Sequence, residues 1–513
     1  MFRNRAQPRD FLFAFISGAL LALSFPRYGH PASAWIALVP LLIALSGWNG
    51  AERRLPAQPS LRAFALGLTT GVVYFVGTIY WTGTVVAVFG GLAAPVALLA
   101  MLLLALYLAL YPAIAALITN TLVRRTGHRA FLLVPAVWVA TEYLRGVLFG
   151  GFPWVPLGNS QVALVPIAQL ASVFGVYGVS ALVAFVNGGL AFAVLSRPRA
   201  RMQIIAVMSV VLLTVAVGGA WRVSEGSLMR QGTPIRVGLI QGNIDQRAKW
   251  DPREARRIFT TYLAMTRDAV RRGAEYVIWP ESSTPFIFQE DQAGAQAIRD
   301  LVADVRVPLL FGSEQLVRGD VPRLYNSAFL VTPSGTTAVY RKIQLVPFGE
   351  FIPLQQWLTF LSPLVEAVAE FASGDEVTML PVGSHLTSTA ICYEVVFPWL
   401  ARRAVERGSE LLTTITNDAW YGESSAPFQH FALASMRAIE QGRYLARAAN
   451  TGISGVVDPY GRVVRASGIF EQVGLVEEVR FLSGRTVYSR IGDVVPYTAM
   501  ALTVAALIAL RRR

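Results

Sequence analysis

Leu386-Thr-Ser-Thr-Ala-Ile-Cys392-Tyr393-Glu394 is a strand-like run that ends in the single cysteine of a 513-residue chain. Two other runs also place a reactive side chain directly after a strand, namely Glu275-Tyr-Val-Ile-Trp-Pro-Glu281 and Thr337-Ala-Val-Tyr-Arg-Lys342. Open α/β sheets bind ligands at the carboxyl ends of their strands. The pattern therefore predicts an α/β domain in which a thiol, a carboxylate and an ammonium converge.

These three groups suit acyl transfer through a cysteine. The thiolate is the attacking form of a thiol, and a neighbouring carboxylate can take its proton and later return it. An ammonium and a backbone N–H can stabilise the oxyanion of the tetrahedral intermediate, and losing one such donor costs about 10²–10³ in rate. We predict Cys392 as nucleophile, Glu281 as base and Lys342 as oxyanion partner, with the amide after Cys392 as the N–H.

Other interpretations of these residues remain open. A lone cysteine after an apolar strand is often a core residue, Glu281 could cap a turn, and Lys342 could be a solvated strand end. A Cys–His dyad would have to use one of four histidines, His30, His128, His385 and His430. The first two fall in the apolar N-terminal region. His385 lies in the strand leading to Cys392 and is not expected to reach back to it.

The composition indicates a membrane protein, because 54% of residues are hydrophobic and 15% are charged, whereas roughly a quarter are charged in soluble proteins. Apolar segments lie near 11–26, 33–48, 63–87, 90–123, 130–147, 162–196, 203–221 and 493–510. A membrane span needs roughly 20 apolar residues. We predict an α-helical membrane domain at 1–222 with about seven spans, a polar α/β domain at 235–480, and a last span at 493–513, giving about eight in all.

The basic residues predict an orientation. The net charge is +13, and the cations cluster between apolar segments rather than forming a nucleic-acid surface. The clusters are Arg3/Arg5/Arg9, Arg53/Arg54/Arg62, Arg124/Arg125/Arg129, Arg197/Arg199/Arg201 and Arg511–Arg513. They fall on one side of the membrane, so both termini are expected in the cytoplasm and 235–480 in the periplasm. A cleaved signal ending at Ala32-Ser33-Ala34 is a less favoured alternative.

Residues 235–480 resemble the nitrilase (carbon–nitrogen hydrolase) superfamily. The matching motifs are Trp279-Pro280-Glu281, Arg341-Lys342 with Pro347-Phe348-Gly349-Glu350, Cys392-Tyr393-Glu394, Thr416-Asn417-Asp418-Ala419-Trp420-Tyr421-Gly422 and Arg447-Ala448-Ala449-Asn450-Thr451-Gly452. The resemblance implies a four-layer αββα sandwich with a Glu-Lys-Cys triad.

The whole chain is similar to one branch of that superfamily, the bacterial apolipoprotein N-acyltransferases. The similarity lies in the domain order, in Glu142-Tyr-Leu-Arg145-Gly146 with Gly151-Phe152-Pro153-Trp154, and in Gln241-Gly242-Asn243-Ile244 followed by Trp250. It implies an inner-membrane enzyme that moves an acyl chain from a phospholipid, through a thioester on Cys392, to the amine of a diacylglyceryl-cysteine. This would complete lipoprotein maturation by a ping-pong mechanism.

The same resemblance implies supporting residues and partners. Glu350 would hold Lys342, while Tyr393, Glu394 and Trp250 match positions associated with activity. The expected partners are a phospholipid donor, a diacylated apolipoprotein and the membrane, with no nucleic acid, no cofactor and no metal.

Two further segments carry expectations. The apolar stretch Phe351–Phe371 is interpreted as a mobile arm that dips into the membrane interface, with a packed helical hairpin as the alternative. Glu142 and Arg145 lie three residues apart, a spacing that permits an ion pair on one helix face. That pair would be either structural or a substrate contact.

Rival functions are a transporter with an external binding module, a membrane-tethered amidase or nitrilase, and an inactive nitrilase fold serving as a scaffold. The apolar segments show no clear repeat and few polar residues in mid-helix, which disfavours the transporter. The intact set of Glu281, Lys342 and Cys392 disfavours the scaffold.

Overall fold

The computed structural model describes residues 8–48, 57–249, 251–351 and 370–511. They divide into two compact units, Met1–Glu225 with Arg490–Arg513, and Gly226–Ser489. Trp250 and most of the expected arm at 351–371 lie outside the described ranges. So do six of the clustered cations, Arg3, Arg5, Arg53, Arg54, Arg512 and Arg513.

The α-helices of the described residues are numbered in chain order. They are α1 Pro8–Ala22, α2 Val39–Leu45, α3 Ser60–Ile79, α4 Trp81–Val88, α5 Ala94–Thr126, α6 Val134–Val147, α7 Val165–Ala168, α8 Ala171–Leu195, α9 Pro198–Glu225, α10 Pro252–Arg271, α11 Gln292–Val305, α12 Pro398–Glu406, α13 Ala426–Gln441, α14 Val487–Ile491 and α15 Val494–Arg511. Helices α1 to α9 and α15 belong to the first unit.

Five helical stretches of the described residues are long and apolar enough to cross a membrane. They are Ser60–Ile79, Ala94–Gly150, Ala171–Leu195, Pro198–Arg230 and Val494–Arg511. In the apolar stretch of α8, 67% of the residues are buried within the protein. In those of α9 and α15 only 17% are buried, and large apolar side chains are exposed. Such exposed apolar helices indicate a membrane-bound protein. The count of eight spans stays a prediction.

The segment expected as one helix at 33–48 is broken in two. A 3-10 helix covers Pro31–Trp35, and α2 begins at Val39 with a proline in its first turn. Asn187 of α8 satisfies the backbone at the break, since its side chain accepts from Leu38 N at 2.8 Å and donates to Ala34 O at 2.9 Å. A buried amide thus allows non-helical backbone among apolar helices.

Glu142 and Arg145, both buried, hold the loop that follows α6. Arg145 Nη1 donates to the carbonyls of Phe152 and Trp154 at 2.8 and 2.7 Å. Glu142 Oε1 accepts from Leu157 N at 2.7 Å. Each residue thus has a structural role in holding the loop backbone, whereas the predicted ion pair between the two side chains does not form in the described residues.

The second unit contains two six-stranded sheets. The strands of the described residues are β1 Thr233–Gln241, β2 Tyr276–Ile278, β3 Leu309–Val317, β4 Arg323–Thr332, β5 Gly335–Arg341, β6 Leu380–Val382, β7 His385–Ile391, β8 Leu411–Thr416, β9 Leu445–Ala449, β10 Gly455–Val457, β11 Val463–Ala466 and β12 Val473–Phe481. The strand orders are β12-β1-β2-β3-β4-β5 and β11-β10-β9-β8-β7-β6.

The two sheets pack face to face. One buried cluster joins Leu239 and Ile278 of the first sheet to Ile391 and Ile415 of the second. Helices α10 and α11 cover the outer face of the first sheet, and α12 and α13 lie against the second. The nitrilase-type αββα sandwich expected for this part of the chain is therefore confirmed.

Parallel pairing within each sheet brings the carboxyl ends of several strands to one edge of that sheet. β1, β2 and β3 run parallel, as do β7, β8 and β9, and helices connect these strands. Among the connecting helices, α10 begins with Pro252, and the Asp251 side chain caps it by accepting from Arg253 N. The carboxyl ends of such strands face the same edge, so residues distant in sequence meet there.

Gly312 of β3 fixes the segment that follows β2. Its N–H donates to Pro280 O at 3.1 Å, and its carbonyl accepts from Ser283 N at 2.8 Å. A Cβ on residue 312 would lie 2.6 Å from Glu281 Cα and 2.5 Å from Ser282 N. Both contacts are with backbone, so the strand end would have to move.

We expect Gly312→Ala to destabilise the second unit by about 1–3 kcal/mol, because overpacking against backbone forces a shift. The thermal unfolding midpoint of the purified protein in detergent measures this loss. Gly319→Ala is the matched control, since its Cβ would meet only Val321 O at 4.0 Å. Equal midpoints for the two variants would contradict the expectation.

Candidate active site

The residues expected to carry chemistry come together in one buried cluster. Glu281 follows β2, Lys342 follows β5, and Cys392 follows β7. Their exposed fractions are 6%, 1% and 5% respectively. Glu281 and Lys342 therefore come from the first sheet and Cys392 from the second.

Lys342 is held between two carboxylates. Its Nζ donates to Glu350 Oε1 at 2.8 Å and to Glu281 Oε1 at 3.4 Å. Burial alone would lower the pKa of Lys342, but Glu350 and Glu281 outweigh it and raise the pKa above its ordinary value. The ammonium form is thus the stable one here.

Amide groups fix the two carboxylates. Asn326 Nδ2 of β4 donates to Glu281 Oε1 at 2.8 Å and to Glu350 Oε1 at 2.9 Å. Glu281 Oε2 accepts from Asn417 N at 2.9 Å. Each carboxylate therefore points one oxygen at Lys342 and Asn326.

The chain on both sides of Glu350 is also anchored. Its Oε2 accepts from Val346 N at 2.8 Å. Its backbone carbonyl accepts from Phe371 N at 3.0 Å, and Phe348 N donates to Phe351 O at 2.8 Å. Residues 351 and 371 are thereby neighbours at Glu350.

Cys392 has a strained backbone and a protonated thiol at rest. Its φ is +52°, in the left-handed region that non-glycine residues rarely adopt. Burial and, to a smaller extent, Glu281 raise the pKa of the thiol to about 12, although Lys342 acts in the opposite sense. The hydroxyls of Thr416 and Tyr421 contact the sulfur.

This arrangement suits base-assisted attack by a thiol. A thiol of raised pKa needs a base to remove its proton as it attacks. Glu281 lies close enough to interact electrostatically with Cys392, and Lys342 supplies a fixed positive charge beside both. Low exposure strengthens each of these interactions, since few waters compete.

Glu394 connects the segments that carry Lys342 and Cys392. Its carboxylate accepts from Ile343 N at 2.7 Å, Gln344 N at 3.1 Å and Ile391 N at 2.8 Å, and from the Tyr340 hydroxyl at 2.8 Å. Burial raises the pKa of Glu394 to about 7 despite these donors. The adjacent Tyr393 is buried and packs edge-on against Phe397, with ring centres 5.2 Å apart.

Several residues of the site were not predicted. Asn326 lies within a strand, and no sequence signal marked it. Lys249 and Glu314 are buried at 4% and 7% exposure and interact with each other and with Glu281. Burial lowers the pKa of Lys249 and raises that of Glu314. Lys249 directly precedes Trp250, which the family resemblance had marked, and this position was the signal that could have identified Lys249 as a site residue.

The motifs that carried the resemblance meet beside Glu281. Asn450 Nδ2 donates to Ile244 O at 2.7 Å and to Asn417 Oδ1 at 3.1 Å. Asn243 N donates to Asn450 O at 2.9 Å. Because Asn417 N bonds Glu281, these amides link three strand ends to the carboxylate.

Comparisons with known proteins agree with this architecture. Residues 17–189 match the family model for the apolipoprotein N-acyltransferase N-terminal domain, and residues 236–479 match that for carbon-nitrogen hydrolase. The chain is 38% identical to an apolipoprotein N-acyltransferase of Geobacter metallireducens, over 98% of this chain and 96% of that protein. It is 33% identical to one of Shewanella oneidensis, over 96% and 94% of the two chains.

Among solved structures, the chain is similar to an amidase from Nesterenkonia sp., with 22% identity and a TM-score of 0.38, over 49% of this chain and 93% of that chain. The sandwich and the match over residues 236–479 define a protein of the carbon–nitrogen hydrolase class. Since its relatives align over nearly the full length, the chain belongs to the apolipoprotein N-acyltransferase family.

We expect Glu394→Gln to change how stability depends on pH. A folded-state pKa of about 7, above the ordinary 4.5, favours the protonated form in the folded protein. This preference increases the free energy of unfolding by on the order of 3 kcal/mol below pH 4.5, and the increase is lost as the pH rises to 7.

The free energy of unfolding of wild type relative to Glu394→Gln should therefore fall as the pH is raised from 4.5 to 8. Thermal unfolding midpoints in detergent across that range measure it. Glu290→Gln, which removes a partly exposed carboxylate paired with Arg318, is measured alongside as the control for the loss of one acidic side chain. A difference that is constant or grows with pH would contradict the expectation.

Proposed function

We propose that the protein transfers an acyl chain from a membrane phospholipid, through a thioester on Cys392, to the N-terminal amine of the diacylglyceryl-cysteine of apolipoproteins. The meeting of Glu281, Lys342 and Cys392 in one buried cluster supports this most directly. The printed names of the relatives, which are apolipoprotein N-acyltransferases, support the same reaction.

In the first half-reaction Glu281 takes the thiol proton while Cys392 Sγ attacks the ester carbonyl of the donor. The oxyanion that forms is stabilised by the Lys342 ammonium and the backbone N–H of Tyr393. The intermediate collapses to a thioester, and the C–O bond of the donor breaks. Glu281 returns its proton to the departing alkoxide of the lysophospholipid, so that protons balance.

In the second half-reaction the neutral amine of the acceptor attacks the thioester carbonyl. Glu281 accepts a proton from the amine and passes it to the Cys392 thiolate as the C–S bond breaks. The product is an amide, and the enzyme returns to its starting form. One pocket then serves two bulky lipids in turn, which is the advantage of a ping-pong cycle.

Glu350 has a supporting role in this scheme. It contacts the Lys342 ammonium at 2.8 Å and the Asn326 amide at 2.9 Å, and so keeps the cation in place as Glu281 gains and loses its proton. Tyr393, Glu394 and Trp250 are proposed as further supporting residues. Transfer rather than hydrolysis requires that water be poorly placed at the thioester, and the low exposure of Cys392 favours this.

We also propose the membrane arrangement that these lipid substrates require. Residues 1–222 and 493–513 would form about eight spans in the bacterial inner membrane, with both termini cytoplasmic. The catalytic domain at 235–480 would then be periplasmic. The apolar helices of the first unit and the distribution of cations support this topology.

Purified protein incubated with a phospholipid that carries an isotope-labelled acyl chain should gain the mass of one acyl group. The adduct should be removed by hydroxylamine, as a thioester is, and should be absent in Cys392→Ala. Because the chain has a single cysteine, intact mass assigns the adduct without ambiguity. Ammonia release from simple amides with no lipid adduct would instead support the membrane-tethered amidase.

Glu281→Gln should slow formation of this adduct by about 10²–10⁴, because general-base assistance is lost while the side chain keeps its size. Rapid-quench flow, followed by measurement of the intact mass at each time point, gives the rate of adduct formation. Glu290→Gln, a carboxylate change outside the cluster, should acylate as fast as wild type. Rapid acylation of the Glu281→Gln protein would remove Glu281 from the mechanism.

A further inference from the structure

Three buried polar residues form a cluster next to the backbone of Cys392 and have no part in the proposed reaction steps. Asp418 starts the 3-10 turn after β8, His430 lies on α13, and Arg447 lies on β9. Their exposed fractions are 1%, 0% and 0%. Ionisable side chains are rarely buried to this extent unless each is paired.

The contacts of this cluster define the tautomer of His430. Arg447 Nη2 donates to Asp418 Oδ2 at 2.8 Å and lies 3.0 Å from His430 Nδ1. A guanidinium can only donate, so Nδ1 accepts and the proton of the neutral ring resides on Nε2. Asp418 Oδ1, also 3.0 Å from Nδ1, accepts instead from the Thr416 hydroxyl at 2.9 Å.

The charge balance agrees with a neutral ring. Asp418 and Arg447 compensate each other, and an imidazolium would add an uncompensated buried charge. Burial and the neighbouring Arg447 lower the pKa of His430, and they outweigh Asp418, which acts in the opposite sense. The Nε2–H tautomer is therefore set by Arg447.

His430 Nε2 lies 3.0 Å from the backbone carbonyl oxygen of Cys392, to which it donates. That carbonyl belongs to the same planar peptide as the N–H of Tyr393, and in a trans peptide the two groups point in opposite directions. A hydrogen bond on the carbonyl thus fixes the direction of the N–H and, by polarisation, strengthens it as a donor. The strained φ of +52° at Cys392 makes such a restraint necessary.

We propose that His430 is a positioning residue that holds the Cys392–Tyr393 peptide with its N–H aimed at the oxyanion of the acyl group. Asp418 and Arg447 hold His430 in the tautomer that can do this. The inference rests on the proposed function in one respect, namely that the reaction passes through a tetrahedral oxyanion at Cys392.

A role for His430 as the base of a Cys–His dyad does not fit the same contacts. Nε2 is directed at the Cys392 carbonyl, and Nδ1 accepts from Arg447. Neither nitrogen is available to take the thiol proton. The ring therefore acts on the peptide of the nucleophile and not on its sulfur.

Two substitutions of His430 by residues with amide side chains distinguish the positioning role from the role of a base. In His430→Gln the side-chain amide reaches the position of Nε2 and can still donate to the Cys392 carbonyl. In His430→Asn the amide reaches the position of Nδ1, where it can contact Arg447 and Asp418 but falls short of Cys392. The two variants thus differ in the hydrogen bond to the Cys392 carbonyl, while both keep a polar, uncharged side chain at position 430.

Two reactions of the full-length protein in detergent are measured. Acylation of Cys392 by p-nitrophenyl butyrate passes through an oxyanion, whereas alkylation by iodoacetamide displaces iodide without one. We expect His430→Asn to slow acylation by about tenfold to a hundredfold, less than the loss of an oxyanion donor, with alkylation unchanged. His430→Gln should acylate at nearly the wild-type rate.

His385→Asn is the matched control, since His385 also pairs with a carboxylate, Glu410 at 2.6 Å, and stacks on Phe481. It should leave both rates unchanged. If His430→Asn unfolds, as judged by its thermal midpoint, His430→Leu is measured in the same way.

Equal losses of acylation and alkylation, or unchanged acylation, in a folded variant would overturn the proposal. A wild-type protein that is acylated by p-nitrophenyl butyrate but never by a phospholipid would remove the proposed donor and leave this inference standing. Conversely, a phospholipid adduct that forms equally fast in wild type and His430→Asn would refute the role of His430 alone.

Discussion

The buried ammonium of Lys342 is the constraint on which the rest of the site depends. A cation at 1% exposure persists only where nearby negative charge replaces its hydration, and Glu350 and Glu281 supply that charge at 2.8 and 3.4 Å. The carboxylates in turn need the cation, because two buried anions bonded to one amide would otherwise repel. Asn326 and the backbone of Asn417 and Val346 fix the geometry of this charge cluster before any substrate enters.

The thiol and the ammonium belong to different sheets, so their separation depends on contacts between the sheets. The shared apolar core sets the spacing of the two layers, and Glu394 joins the residues after Lys342 to the strand before Cys392. Its side chain therefore links the segment that carries Lys342 to the strand that carries Cys392. A carboxylate suits this task, because one oxygen can accept several donors at once.

Much of this could be anticipated from the sequence. Glu281, Lys342 and Cys392 were identifiable because each follows an apolar run, and parallel strands bring such ends to one edge. Asn326 and Glu314 were not, since their position comes from the antiparallel register that sets Glu314 opposite Asn326. His430 faces the peptide of Cys392 through the packing of α13, which a helical pattern alone does not determine. The break at 33–48 likewise depends on Asn187, far along the chain.

The backbone contact between Phe371 and Glu350 has a consequence for the length of the chain between residues 351 and 371. The chain reaches Phe351 and resumes at Phe371 beside the same residue, Glu350, so these two points of the chain are held close together. Loop-closure entropy grows slowly, by about 0.6 kcal/mol for each doubling of length. The number of residues between the two ends can therefore change at little cost in stability, because the backbone contacts at Glu350 keep the ends together.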